Sequence, residues 1–100
     1  MTYFTQLVFV KEGKEEIFHE FEDFVLPLLA RYAGRLLYRV RPAAESVLHS
    51  EVGTPYEIHL VAFPSEADFQ AYAADEERQR YLGLKNESVQ EVLLIRGAVS

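Results

Sequence analysis

Four residues carry side chains suited to proton transfer and anion binding: Gln6, Arg39, Glu57 and His59. Glu57 and His59 alternate with Ile58 and Leu60 in a run of strand-forming residues, so the pleat places both on one face. An imidazole titrates near pH 6.5 when unperturbed, which suits His59 to take up or give back a proton. The guanidinium of Arg39 can hold a carboxylate or enolate oxygen, and Glu57 can orient His59 or pair with Arg41. Read as catalytic groups, His59 accepts the proton and Arg39 stabilises the anion, with Gln6 and Glu57 completing a small pocket. The same residues also make sense as a cross-strand charge network that satisfies polar groups without turnover, and the residues favour that reading somewhat.

Further ligand-binding candidates are Tyr72, Arg78 and Tyr81, which could close over a pocket with hydroxyls and an arginine fork, although Tyr72 suits the core better. His19, Glu22 and Asp23 have the helical spacing at which side chains can share a metal ion. They are expected on a solvated helix face with Glu15 and Glu16, so no metal site is assigned. His49 falls in a connection. Ser46, Ser50, Ser65 and Ser88 lack a Gly-x-Ser-x-Gly elbow, and the chain has neither a glycine-rich phosphate loop nor a dinucleotide fingerprint. No cofactor is expected.

The elements that must position these residues follow from periodicity. Tyr3 to Val10 is aromatic and β-branched, a buried strand. From Lys14 to about Ala33, Ile17, Phe21, Phe24, Leu28 and Tyr32 recur at helical spacing, so one long helix is expected, bent at Pro27 and stopped by Gly34. Arg35 to Arg41 is a second strand, and the connection from Pro42 to Pro55 could extend its hairpin through Ser46 to Val52. Tyr56 to Phe63 is a third strand. Ser65, with Asp68 as its partner, caps a helix carrying Phe69, Tyr72 and Ala73, and Asp75 caps a second short helical piece ended by Gly83. After the polar stretch Lys85 to Ser88, Val89 to Arg96 is the last strand. Strand, helix, strand, strand, helix, strand is the split βαβ order of a ferredoxin-like α+β domain. Its antiparallel sheet has the strand order 4-1-3-2, with both helices on one side.

One hundred residues, with 49% hydrophobic and 13% aromatic, make a single domain from 1 to 100 with enough apolar material for its own core. A net charge of -6 argues against nucleic acid or anionic membranes as partners. No apolar run approaches a membrane span, and the absence of cysteine fits a reducing compartment, so a cytoplasmic location is expected.

Pairing the middle strands with Arg41 opposite Glu57, Arg39 opposite His59 and Leu37 opposite Val61 sorts the side chains into two faces. One carries Leu36, Tyr38, Val40, Tyr56, Ile58, Leu60 and Ala62 and is expected under the helices. The other mixes Leu37, Val61, Phe63, Phe4, Val8, Val92 and Leu94 with Gln6, Arg39, Glu57 and His59. Left open, that mixed face would need a second copy to cover it, which predicts a homodimer.

The order of elements, with Tyr32-Ala33-Gly34, the turn Phe63-Pro64-Ser65, then Tyr72 and Tyr81 and a final Gly97, resembles the dimeric α/β-barrel superfamily. Within it, the chain is similar to the uncharacterised domain-of-unknown-function family thirteen-thirty. The resemblance implies a homodimer whose two four-stranded sheets enclose a barrel-like interior. It also implies relatives ranging from cofactor-free monooxygenases, lyases and isomerases to proteins of no known activity. Two functions follow as expectations. The first is a small homodimer binding a small molecule at or near the sheet face. The alternative is a cofactor-independent enzyme acting on a small oxygenated or aromatic metabolite.

Overall fold

The computed structural model describes residues 1–97. Strands β1 (Thr2–Val10), β2 (Arg35–Val40), β3 (Glu57–Phe63) and β4 (Val89–Gly97) form one antiparallel sheet in the order β2-β3-β1-β4, the arrangement expected from the sequence. Helices α1 (Glu15–Val25), α2 (Glu66–Ala73), α3 (Glu76–Arg80) and α4 (Leu82–Ser88) accompany it. This is the ferredoxin-like α+β fold.

Helix α1 buries Phe18, Phe21 and Val25. Pro27 does more than bend it: with no N–H to continue the ladder, the chain tightens into a 3-10 helix over Leu26–Tyr32. The left-handed residue that ends this segment is Ala33, at φ 57°, and not Gly34. Gly34 is needed for a different reason. A Cβ there would lie 2.6 Å from the Phe63 ring, so only a bare backbone can pass this close to the core.

Ser65 caps α2 by accepting from the Asp68 amide at 3.2 Å, and Asp75 caps α3 by accepting from the Arg78 amide at 2.9 Å. Gly83 does not stop the chain, because α4 runs through it and takes in the polar stretch as far as Ser88, whose hydroxyl donates to the Leu84 carbonyl at 2.7 Å. Between β2 and β3 the hairpin is not extended; the segment holds only a 3-10 turn at Ala44–Ser46. Its proline and serine content favours local turns over a ladder.

The strand pairing brings Arg39 opposite His59 as expected, but β2 slips between Leu36 and Tyr38, so Leu36 and not Leu37 faces Val61. The assignment of faces is reversed. Phe4, Leu28, Leu29, Val61, Phe63 and Tyr72 form one buried cluster, and Val8, Phe18, Phe21 and Val25 a second, so the helices cover the mixed face. Three rings explain the choice: Phe69 of α2 stacks on Phe4 at 4.0 Å and meets Phe63 edge-on at 5.6 Å. Such pairs add about 0.5–1.5 kcal/mol each beyond their burial. The polar members of that face are tolerated because α1 brings them a partner, Glu22. The opposite face, with Tyr38, Val40, Ile58, Leu60, Leu7, Leu93 and Ile95 in register, is the open one, and Tyr38 and Ile95 are 61% and 58% exposed.

Candidate functional site: a charged network beside a cavity

Where β2 and β3 pass beneath α1, five ionisable side chains meet. Glu57, Glu22 and His59 are buried, at 0%, 2% and 5% exposure, and the half-exposed Arg39 and Arg41 close the network from the β2 edge. Arg39 donates through Nε to Glu57 Oε1 at 2.7 Å and through Nη2 to Glu22 Oε1 at 2.8 Å. Arg41 Nε donates to Glu57 Oε2 at 2.8 Å. His59 Nε2 hydrogen-bonds Glu57 Oε1 and lies 2.9 Å from Glu22 Oε2. Glu22 Oε2 makes no hydrogen bond among the described residues and has only this ionic contact with His59.

This geometry sorts the protonation states. Burial disfavours charge on His59, but the flanking carboxylates of Glu22 and Glu57 outweigh it and raise its pKa to about 9. Burial alone would raise Glu57, yet hydrogen bonds from His59 and both arginines hold it well below the usual carboxylate range. Glu22 goes the other way: burial, helped by the neighbouring Glu57, raises it against the opposing pull of His59. Two acids one strand and one helix apart are thus driven in opposite directions, the pattern that separates a fixed anion from a group able to carry a proton.

Glu22, Glu57 and His59 bring one ligand atom each to within 4.8 Å of one another. The charge balance does not suit a divalent cation. Two arginines already neutralise the two carboxylates, and adding a metal with a neutral imidazole would leave two uncompensated positive charges in a buried site. A proton fits where a metal does not.

Next to the network, between the sheet and the helices, is a cavity of about 70 Å³. Holding one water takes roughly 10–15 Å³ by this measure, so there is room for several waters or one small organic molecule. Leu29, Val61, Phe63, Phe69 and Val92 make most of its wall apolar, and Gln6, Glu22, His59, Arg78 and Lys85 add polar groups.

The candidates drawn from the sequence divide on this geometry. Gln6, His59, Tyr72 and Arg78 line the cavity. They do so under the helices and not on the open face, because the faces are reversed. Tyr72 is also core, its hydroxyl donating to the Val25 carbonyl at 3.3 Å. Arg39 and Glu57 stand behind His59, engaged with each other and with Glu22. Tyr81 stacks on Phe24 at 4.2 Å, away from the cavity wall. His19 is not paired with Glu22; its Nε2 meets the Tyr56 hydroxyl at 2.5 Å.

Glu22 is the residue that sequence reasoning misplaced. It was expected on the solvated side of α1, yet it lies in the spacing of Phe18 and Val25, on the stripe that faces the core. A carboxylate inside an apolar stripe was the signal available.

No family model matches the chain, and no curated protein does. Several solved structures share its fold. A Rhodopseudomonas palustris protein of unknown function superposes with a TM-score of 0.79 at 14% identity, over 95% of this chain and 78% of that one. An uncharacterised NIPSNAP domain protein from Burkholderia xenovorans gives 0.71 at 15% identity, over 100% and 95%. A dimeric ferredoxin-like protein of unknown function from Jannaschia gives 0.71 at 19%, over 98% of both chains. At these identities the likeness establishes the ferredoxin-like fold. No described helix is long and apolar enough to cross a membrane.

Proposed function

We propose that the protein is a small homodimer in which each protomer binds a small molecule in the cavity between its sheet and α1, while the open sheet faces pack on each other. The observation that carries the binding reading is the cavity itself: a small, mostly apolar pocket on which Gln6, Glu22 and His59 converge, the mix of apolar wall and few polar groups that orients a small molecule. The dimer reading rests on the open face, where Tyr38, Val40, Ile58, Leu60, Leu7, Leu93 and Ile95 form a contiguous apolar row that no helix covers, the kind of surface that marks a protein interface. The dimeric description of the Jannaschia protein agrees with it. The finer likeness to family thirteen-thirty belongs to this reading as well, resting on Tyr32-Ala33-Gly34 and Phe63-Pro64-Ser65.

A thermal-shift screen of small organic molecules tests the binding reading. Hits should lose their effect in Val92→Phe, which fills the cavity from its wall. Hits that stabilise that variant as well as the wild type would place binding elsewhere.

A second reading, cofactor-independent proton transfer on the bound molecule, is favoured by one observation. Glu22 lines the cavity with its pKa raised, and its Oε2 lies 2.9 Å from the imidazole of His59, whose pKa is raised as well. In that arrangement Glu22 takes or returns the proton, and Arg39 and Glu57 position the pair. Exchange of an acidic C–H of a bound hit for deuterium, followed by NMR, should be catalysed by the wild type and lost in Glu22→Gln. Equal exchange in both would leave the protein a binder.

A further inference from the structure

Two cations on the same cavity, Arg78 and Lys85, pair with no carboxylate among the described residues. Arg78 of α3 lies over the Tyr72 ring at 5.0 Å and the Phe21 ring at 6.0 Å, an aromatic slot that fixes its plane. Its Nη1 makes only a long contact of 3.4 Å to the Ala73 carbonyl, and its Nε is buried with no acceptor among the described residues. Of the acids just before it, Glu77 accepts from Arg31 at 2.9 Å, and Asp75 is engaged elsewhere. Its carboxylate accepts from the Tyr32 hydroxyl at 2.5 Å and from Arg31 at 3.3 Å, and it caps α3 through the Arg78 amide. Lys85 of α4 lines the same cavity and pairs with no carboxylate within 4.0 Å among the described residues.

Orphaned buried donors are costly, and cations are buried next to apolar surface when something negative completes them. Glu22 does not play that part, since its Oε1 is taken by Arg39 and its Oε2 faces His59. We propose that Arg78 and Lys85 form an anion subsite, and that the molecule bound in the cavity is a small organic acid. Its carboxylate sits on these two cations, and its apolar body lies against Leu29, Phe63 and Phe69. The inference rests on the cavity reading above and adds the chemical class of the ligand. Burial and the nearby Arg78 already lower the pKa of Lys85, a strain that an incoming carboxylate relieves.

The test compares butanoate, benzoate and phenylacetate with their primary amides, titrated calorimetrically at constant ionic strength into wild type, Arg78→Met, Lys85→Met and Arg78→Lys. The carboxylates should bind the wild type more tightly than the matched amides. Arg78→Met and Lys85→Met should each weaken the carboxylates by roughly tenfold or more, the size of one lost charge-assisted contact, and leave the amides within about twofold. Arg78→Lys, which keeps the charge, should recover part of the loss and serves in place of Arg78→Met should that variant not fold. Amides binding as well as carboxylates, or carboxylate affinity unmoved by both methionine variants, would overturn the anion subsite while leaving the cavity reading intact. No binding of either series would overturn both.

Discussion

Arg39 and Glu22, on β2 and α1, meet at 2.8 Å, and this contact locks the first helix to the edge of the sheet. Through it the two halves of the charged network are joined: Arg39 touches both carboxylates, and His59 sits between them. The network is therefore a structural clamp as well as one wall of the cavity.

Breaking the clamp at its centre should be expensive. Glu57→Ala leaves Arg39, Arg41 and His59 without their shared anion, and the removal of one partner from a buried charge pair typically costs about 3–5 kcal/mol. Urea denaturation should show that loss, whereas Arg41→Ala, at the half-exposed rim, should cost about 1 kcal/mol or less.

The pH dependence of stability follows from the same contacts. His59 titrates near 6.5 when unfolded and at about 9 when folded, so the native state holds its proton more tightly. Its contribution is complete below about pH 6.5 and disappears as the pH rises through about 9. Glu57 behaves oppositely: its folded pKa is depressed, so its contribution is present above its ordinary value of 4.5 and is lost on acidification. The urea midpoint should fall between pH 7 and 10, and His59→Asn should flatten that limb. An alkaline limb unchanged in His59→Asn would refute the assignment.

Gly34→Ala tests the close approach of backbone to ring. With the new methyl 2.6 Å from the Phe63 ring, the variant should be destabilised by about 1–3 kcal/mol, the range of an overpacked core. The same change at Gly83, where an added Cβ meets nothing within 4 Å, should be neutral or slightly stabilising, because α4 runs through that position.

The open face should behave as an interface. Leu60→Lys or Tyr38→Lys, both on that face, should convert a sedimenting dimer into a monomer that keeps its far-ultraviolet dichroism. A protein that sediments as a monomer before any substitution would show that this face needs no second copy.

Much of this architecture was legible in the sequence, and the reasons it failed elsewhere are physical. Strand runs, the Ser65 and Asp75 caps and the pairing of Arg39 with His59 are local or register properties, set by pleat and side-chain type. Which sheet face the helices cover is not local. The purely apolar face has the pattern of a core, but the helices cover the mixed face because Phe69 stacks on Phe4 and meets Phe63 edge-on, and the polar residues have Glu22. Glu22 shares its helix with the exposed Glu16 and Asp23, and composition alone does not separate the buried acid from the solvated ones. The slip at Leu37 and the 3-10 segment after Pro27 depend on tertiary fit, which periodicity does not report.

A ligand held between the sheet and α1, and not on the open sheet face, leaves a distinct mark in heteronuclear NMR during titration of a thermal-shift hit. Shifts should concentrate at Gln6, Glu22, Val25, His59 and Val92, which line the cavity. Shifts confined to Leu7, Leu60 and Ile95, on the opposite face, would contradict that placement.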